Sequence, residues 1–147
     1  MNTSPCDLIQ EHVSQLSDPT WRICVACMLM NMTCGLTMRS YMWCLFERWP
    51  TPTDLATADP HDVAELIRPL GFVNKRTKNL IAMSQAYLDE RWTTPTDLPG
   101  CGKYATDSWL IFVVNSDVSI DDLTDKELRR YIHWRKTDVY VPQGEFV

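Results

Sequence analysis

The chain has 147 residues, 45% of them hydrophobic and 22% charged, which suits one soluble globular domain with a core that needs no staples. No apolar run approaches membrane-spanning length, and the N-terminus lacks the basic start and apolar centre of a signal peptide, so an intracellular location is expected, the nucleus in a eukaryote and the cytoplasm in a bacterium or virus. The formal charge of −5, from 14 Lys and Arg against 19 Asp and Glu, argues by itself against nucleic acid, because phosphate neutralisation usually dominates such affinity.

Residues 1–17 read as an N-terminal extension, 18–136 as the domain and 137–147 as an irregular tail. Asp18-Pro19 is an N-cap followed by a first-turn proline, opening a helix from Trp21 to about Met30 that is too uniformly apolar for a surface element. Thr33-Cys34-Gly35 interrupts, and a helix resumes from Leu36 to Trp49 with Leu36, Tyr41, Trp43, Leu45 and Phe46 among its apolar positions. Asp59-Pro60 opens another, with Val63, Leu66 and Ile67 at helical spacing, ending at Pro69-Leu70-Gly71. Asn74 to Glu90 is a long amphipathic helix whose inner stripe is Leu80, Ile81, Met83, Tyr87 and Leu88. Trp49-Pro50-Thr51-Pro52-Thr53-Asp54-Leu55 is echoed by Trp92-Thr93-Thr94-Pro95-Thr96-Asp97-Leu98; flanking residues differ, so these are parallel connectors rather than a repeat. Nothing alternates with period two over a useful length, and the expected fold is all-α.

Cys24, Cys27, Cys34 and Cys44 lie in apolar, helix-like sequence and read as reduced core residues. Cys24-x-x-Cys27 has zinc-ligand spacing but no second pair follows it, so no metal is expected. His12, His61 and His133 show no partner spacing for a metal or a nucleophile pair.

The most informative stretch is Leu98-Pro99-Gly100-Cys101-Gly102-Lys103-Tyr104. Its glycines permit a tight turn with uncovered amides, and a helical pattern from Tyr104 to about Val114 puts those amides at a helix N-terminus, a site suited to an anion such as a DNA phosphate. Downstream, Thr124-x-x-Glu127 reads as a capping box, with threonine capping and Glu127 reaching back. That places Asp125 in the first turn, where the helix dipole favours its ionised form. Such an acid serves either to stabilise a helix start or to do chemistry. Basic residues gather at Lys75, Arg76 and Lys78, at Lys103, and at Arg129, Arg130, Arg135 and Lys136, so a one-sided basic face is compatible with the acidic total.

The hairpin and the aspartate after it resemble the helix-hairpin-helix (HhH-GPD) base-excision DNA glycosylases. From Trp21 to Trp134 the chain is similar to their methyl-CpG-binding, mismatch-specific thymine/uracil branch, through Leu29-Met30-Asn31-Met32-Thr33-Cys34-Gly35, Thr57-Ala58-Asp59, Pro69-Leu70-Gly71-Phe72, Gly100-Cys101-Gly102-Lys103-Tyr104 and Asp107-Ser108. The resemblance implies the helix-hairpin-helix glycosylase fold without an iron–sulfur cluster, because no cysteine follows Cys101, and no other cofactor. It implies a DNA N-glycosylase acting as a monomer on duplex DNA, with Asp125 as the catalytic acid and Tyr104 in the base pocket. A bifunctional relative carries a Schiff-base lysine where Tyr104 stands, so monofunctional chemistry follows, leaving an abasic site. Leu98, Gly100, Gly102, Lys103, Asn31, Met32, Phe72, Lys75, Arg76 and Arg130 are the implied DNA-binding residues.

Alternatives stand at several of these positions. Lys103 is a phosphate contact or a surface lysine, Tyr104 a base contact or a half-buried helix-start residue, Asn31 an orphan-base contact or a helix cap, and Phe72 a wedge or a core residue. The sequence departs from the branch at Met32, where an arginine finger is expected, and at Lys126, where a histidine is expected. These departures leave open a relative acting on modified pyrimidines, such as a phage thymine-hypermodification transferase, and a non-catalytic helix-hairpin-helix DNA-binding module.

Overall fold

The computed structural model describes residues 3–31, 33 and 35–146, and all regular structure among them is helical. The helices are α1 (Ile9–Val13), α2 (Pro19–Met30), α3 (Gly35–Arg48), α4 (Pro52–Ala56), α5 (Pro60–Ile67), α6 (Val73–Asp89), α7 (Lys103–Trp109) and α8 (Lys126–Thr137). A π-helical turn, Leu110–Val114, extends α7. No helix among the described residues is long and apolar enough to cross a membrane.

The helix expected to be buried all round is α2. It packs against α1, α3, α6 and α7, and Trp21, Ile23, Cys24, Val25, Ala26 and Leu29 are fully buried. Asp18 does sit at its N-cap, but in a left-handed conformation and without a capping bond; its carboxylate instead accepts a hydrogen bond from the Tyr87 hydroxyl at 3.3 Å. Only part of the apolar set on α3 is buried. Met38 and Met42 join Leu45 and Phe46 inside, whereas Leu36 and Trp43 are exposed. Spacing decides this, since positions 38, 42, 45 and 46 follow one helical face while 36 and 43 leave it. In α6, Leu80 and Met83 are fully buried but Leu88 is exposed near the frayed end.

The echoed connectors do the same job twice. Thr51 and Thr94 adopt nearly the same extended conformation, and the Asp54 and Asp97 carboxylates accept hydrogen bonds from their backbone amides at the start of each turn. Cys24 and Cys27 are buried thiols, Cys44 is exposed on α3, and Cys34 lies outside the described residues.

Two apolar clusters result. One surrounds α2; the other joins Cys6 and Leu8 to Ile111, Leu123, Leu128 and Ile132. Tyr104 and Phe112 pack against both. The segment before α1 is thus built into the second cluster, and the buried Glu11 carboxylate holds it by accepting hydrogen bonds from the amides of Ser4 (2.6 Å) and Leu8 (2.7 Å).

The α3 stripe is directly testable by urea unfolding. Met42→Ala removes a fully buried side chain and is expected to cost about 2–5 kcal/mol, whereas Leu36→Ala should stay within about 0.5 kcal/mol.

Candidate active site

The hairpin is pinned from below. Leu98 is buried in the α2 cluster, and Gly100 sits at φ +76° with its Cα against α2 and α6. A Cβ there would lie 2.8 Å from Met28 Cε and 3.0 Å from Asn79 Cβ, so glycine is required for both conformation and space. Gly102, the N-cap of α7, faces open space. The loop leading to α8 is fastened to the hairpin helix through Lys103, whose Nζ donates to the Asp107 carboxylate (2.7 Å) and the Asp122 carbonyl (2.7 Å). Arg129 grips the same loop from the other side, donating to the carbonyls of Ile120 (2.7 Å) and Leu123 (3.2 Å).

The expected Thr124–Glu127 capping box does not form. Asp125 is itself the N-cap, in extended conformation, and its Oδ2 accepts from the Leu128 amide at 3.0 Å. Glu127 instead turns to Arg130, accepting from Nε (2.8 Å) and Nη2 (2.7 Å). Aspartate is at least as good a cap as threonine, and the buried guanidinium is the stronger claimant on Glu127. Nor does the helix dipole win at Asp125. Burial raises its pKa, and the Glu127 and Asp107 carboxylates add to this; the Leu128 and Glu127 amides pull the other way without prevailing.

Asp125 and Tyr104 line one cavity of about 620 Å³ at the seam between the two clusters. Its wall also includes Cys6, Leu8 and Gln10 from the N-terminal segment, Met30 and Asn31, and Leu36 and Arg39 of α3. The Tyr104 hydroxyl accepts from Gln10 Nε2 at 2.8 Å and points its proton at Met30 Sδ, 3.7 Å away. Gln10 also donates to Ser108 Oγ (3.2 Å), which in turn accepts from Cys27 Sγ (3.6 Å). Burial raises the pKa of both Tyr104 and Cys27, the latter to about 12, so the phenol and thiol are neutral donors. Gln10 was not among the expected site residues. It lies in the segment read as an extension, and its partner is 94 positions away, so no local pattern announces it.

A glycine hairpin thus stands beside a cavity that holds a half-buried N-cap aspartate, and the chain that carries them has relatives. The sequence profile of the HhH-GPD superfamily base excision DNA repair proteins matches residues 25–143. The chain belongs to that superfamily. It is 41% identical over 109 residues to a methyl-CpG-binding domain protein 4-like protein of Arabidopsis thaliana, covering 74% of this chain and 24% of that one. It is 30% identical over 123 residues to a thymine-DNA glycosylase of Aeropyrum pernix, covering 79% of this chain and 53% of the relative. The chain therefore spans about a quarter and about half of the lengths of these relatives. Its fold is that of a thermostable thymine-DNA glycosylase (TM-score 0.64, 17% identity, 74% of this chain and 52% of the other). It is also that of endonuclease III in a non-covalent complex with DNA (TM-score 0.61, 17% identity, 74% and 54%).

In this HhH-GPD chain the expected DNA-binding residues divide by exposure. Phe72 is 62% exposed, which excludes the core reading, and its φ of 49° is unusual for a bulky residue. Lys75 and Asn31 are exposed, and Asn31, at the C-cap of α2, has a side chain without a hydrogen bond among the described residues. Leu98, Arg76 and Arg130 are withdrawn from the surface. Arg76, 6% exposed, donates to the carbonyls of Leu70 (2.8 Å), Gly71 (3.2 Å) and Asn31 and to Thr33 Oγ1 (2.8 Å), tying the Asn31 and Phe72 loops together. Arg130, 3% exposed, spends its donors on Glu127 and on the carbonyls of Cys6 and Val141 (3.1 Å each). Both are internal struts because a buried guanidinium needs acceptors nearby. Met32 lies outside the described residues. Two shallower cavities, of about 280 and 400 Å³, share Asn31 with the main one, forming a strip from Phe72 past the hairpin to Asp125.

The raised Asp125 pKa has a signed consequence for stability. A carboxyl whose folded pKa exceeds its unfolded value, near about 3.9, costs stability when ionised; the cost is full above the folded pKa and gone below the unfolded one. Asparagine keeps the cap without the charge. Asp125→Asn is therefore expected to equal or exceed the wild type in stability at pH 7 and to lose that advantage as pH falls below about 4. Urea titrations at stepped pH check this; a neutral-pH loss of about 1 kcal/mol, typical of a broken cap, would contradict it.

Proposed function

We propose that this chain is a monofunctional DNA N-glycosylase that removes thymine or uracil mispaired with guanine, working as a monomer on duplex DNA inside the cell. The observation that carries the reading is the shared cavity: a half-buried carboxylate fixed at a helix N-terminus and a neutral tyrosine line one space beside the hairpin. The names of the two relatives, with thymine in one of them, support the substrate class.

In this mechanism the hairpin amides and the α7 N-terminus hold a phosphate, and exposed Phe72, on its strained backbone, wedges into the stack. The flipped pyrimidine enters the cavity, where Tyr104, oriented by Gln10, contacts it. The C1′–N1 bond breaks with its electron pair leaving on the base, and cationic charge develops on the sugar. The Asp125 carboxylate stabilises that charge and takes a proton from the water that attacks C1′, leaving an abasic hemiacetal. Burial makes Asp125 a stronger base for this step. Among the described residues Tyr104 lines the cavity, and the neighbouring Lys103 Nζ is engaged by Asp107 and Asp122, which supports chemistry without a Schiff base.

Modified pyrimidines are the second reading, kept open by Lys126 and Met32, where the mismatch-specific branch is expected to carry a histidine and an arginine. Abasic-site formation on duplexes carrying G·T, G·U and G·5-hydroxymethyluracil separates the two. Wild type is expected to release thymine and uracil, and Asp125→Asn to slow release by about 10²–10⁴-fold while still binding DNA. No release by the wild type from any duplex would overturn the glycosylase reading, and full activity in Asp125→Asn would assign a different catalytic group. Strand cleavage without added base or heat would contradict monofunctional chemistry.

A further inference from the structure

Resting on the glycosylase reading, we infer that Tyr140 and Gln143 of the C-terminal tail form a wall of the base pocket and set which pyrimidine it accepts. Sequence gives this segment no role, yet its path is well defined. Asp138 ends α8 in a left-handed conformation, its amide donating to the Trp134 carbonyl at 2.7 Å, and this turns the chain back along the helix. Residues after it run toward the N-terminus of α8, where Asp125 stands. The Val141 carbonyl accepts from Arg130 Nη1 at 3.1 Å, and the Tyr140 ring centroid lies 5.7 Å from the same guanidinium. A turn follows, closed by the Glu145 amide on the Pro142 carbonyl (3.1 Å) with Gly144 at φ +86°, and the chain returns so that Phe146 packs 5.3 Å from the His133 ring. The tail is thus a loop fastened at both ends to α8, with its tip at the cavity.

At that tip, Tyr140 and Gln143 line the same space as Gln10, Tyr104 and Asp125. The Gln143 amide has no partner among the described residues, so its donor and acceptor are both available. A pyrimidine-2,4-dione presents two carbonyl acceptors flanking an N–H donor, an edge that an amide can match. The Tyr140 ring, pinned over Arg130, offers an apolar surface where thymine and uracil differ by one methyl group. Arg130 is a positioning residue here: it joins the tail to the N-terminal segment and to Glu127, so three separate stretches close round the pocket together.

Single-turnover release of thymine and uracil opposite guanine, measured for full-length wild type, Tyr140→Ala, Gln143→Ala and the double variant, tests the inference. Both side chains are exposed, so the variants should keep the wild-type unfolding midpoint and the affinity for a duplex holding an abasic-site analogue. The thymine-to-uracil rate ratio is expected to change by about tenfold in the double variant, the scale of discrimination one methyl group allows in a pocket. Tyr140→Phe, which keeps the ring, should retain the wild-type ratio. If the wild type releases base but the double variant keeps its ratio within about twofold, the tail is no specificity wall and this inference alone fails. If the wild type releases neither base, the glycosylase reading fails and takes this inference with it.

Discussion

A guanidinium cannot shed its charge, and once buried it must find acceptors or unfold its surroundings. Arg130 is 3% exposed, and the acceptors it finds belong to three stretches far apart in sequence: Cys6, Glu127 and Val141. Everything distinctive about the site follows from that demand. The N-terminal segment is held against α8, and the tail is folded back over it. Glu127 is drawn away from Thr124, leaving the capping position to Asp125. A residue that reads as a surface contact is the centre of the architecture.

Arg76 and Arg22 solve the same problem elsewhere. Arg76 joins the two loops that carry Asn31 and Phe72, while Arg22 donates to the carbonyls of Ser17 (2.6 Å) and Pro50 (2.9 Å) and stacks 4.7 Å from the Phe46 ring. Such side chains count in a charge sum but lend little to an outer electrostatic surface. This bears on the formal charge of −5 in a chain proposed to bind DNA. Its grip, on that proposal, rests on the directed amides of the hairpin more than on free cations. Shape and oriented backbone dipoles can supply locally what net charge does not.

Helix positions were legible because prolines, glycines and apolar spacing act within a few residues. Asp18-Pro19, Asp59-Pro60 and the two Thr-Pro-x-Asp connectors all open helical turns. The hairpin was legible for the same reason, since Gly100 needs both its φ and its lack of a side chain. Faces were harder. On α3 apolar residues lie on more than one side, and the spacing of Met38, Met42, Leu45 and Phe46 marks the buried face while Leu36 and Trp43 fall off it. Non-local hydrogen bonds were beyond reach altogether. Nothing near Gln10 indicates Tyr104, nothing near Cys6 or Val141 indicates Arg130, and nothing in Lys103 itself tells that its amine is taken by Asp107 and Asp122.

Capping α8 and lining the cavity are compatible roles for one carboxylate at Asp125. The cap bond from the Leu128 amide fixes the orientation of the carboxylate, as the proposed chemistry requires of its base. Burial raises its pKa, the amides oppose that rise, and a second carboxylate, Glu127, adds to it. Glu127 is itself held beside Arg130, its carboxylate accepting from the guanidinium at 2.7–2.8 Å. Arg130 thus holds in place one of the carboxylates that raise the Asp125 pKa, so the strut that joins the pocket walls also fixes where that carboxylate stands.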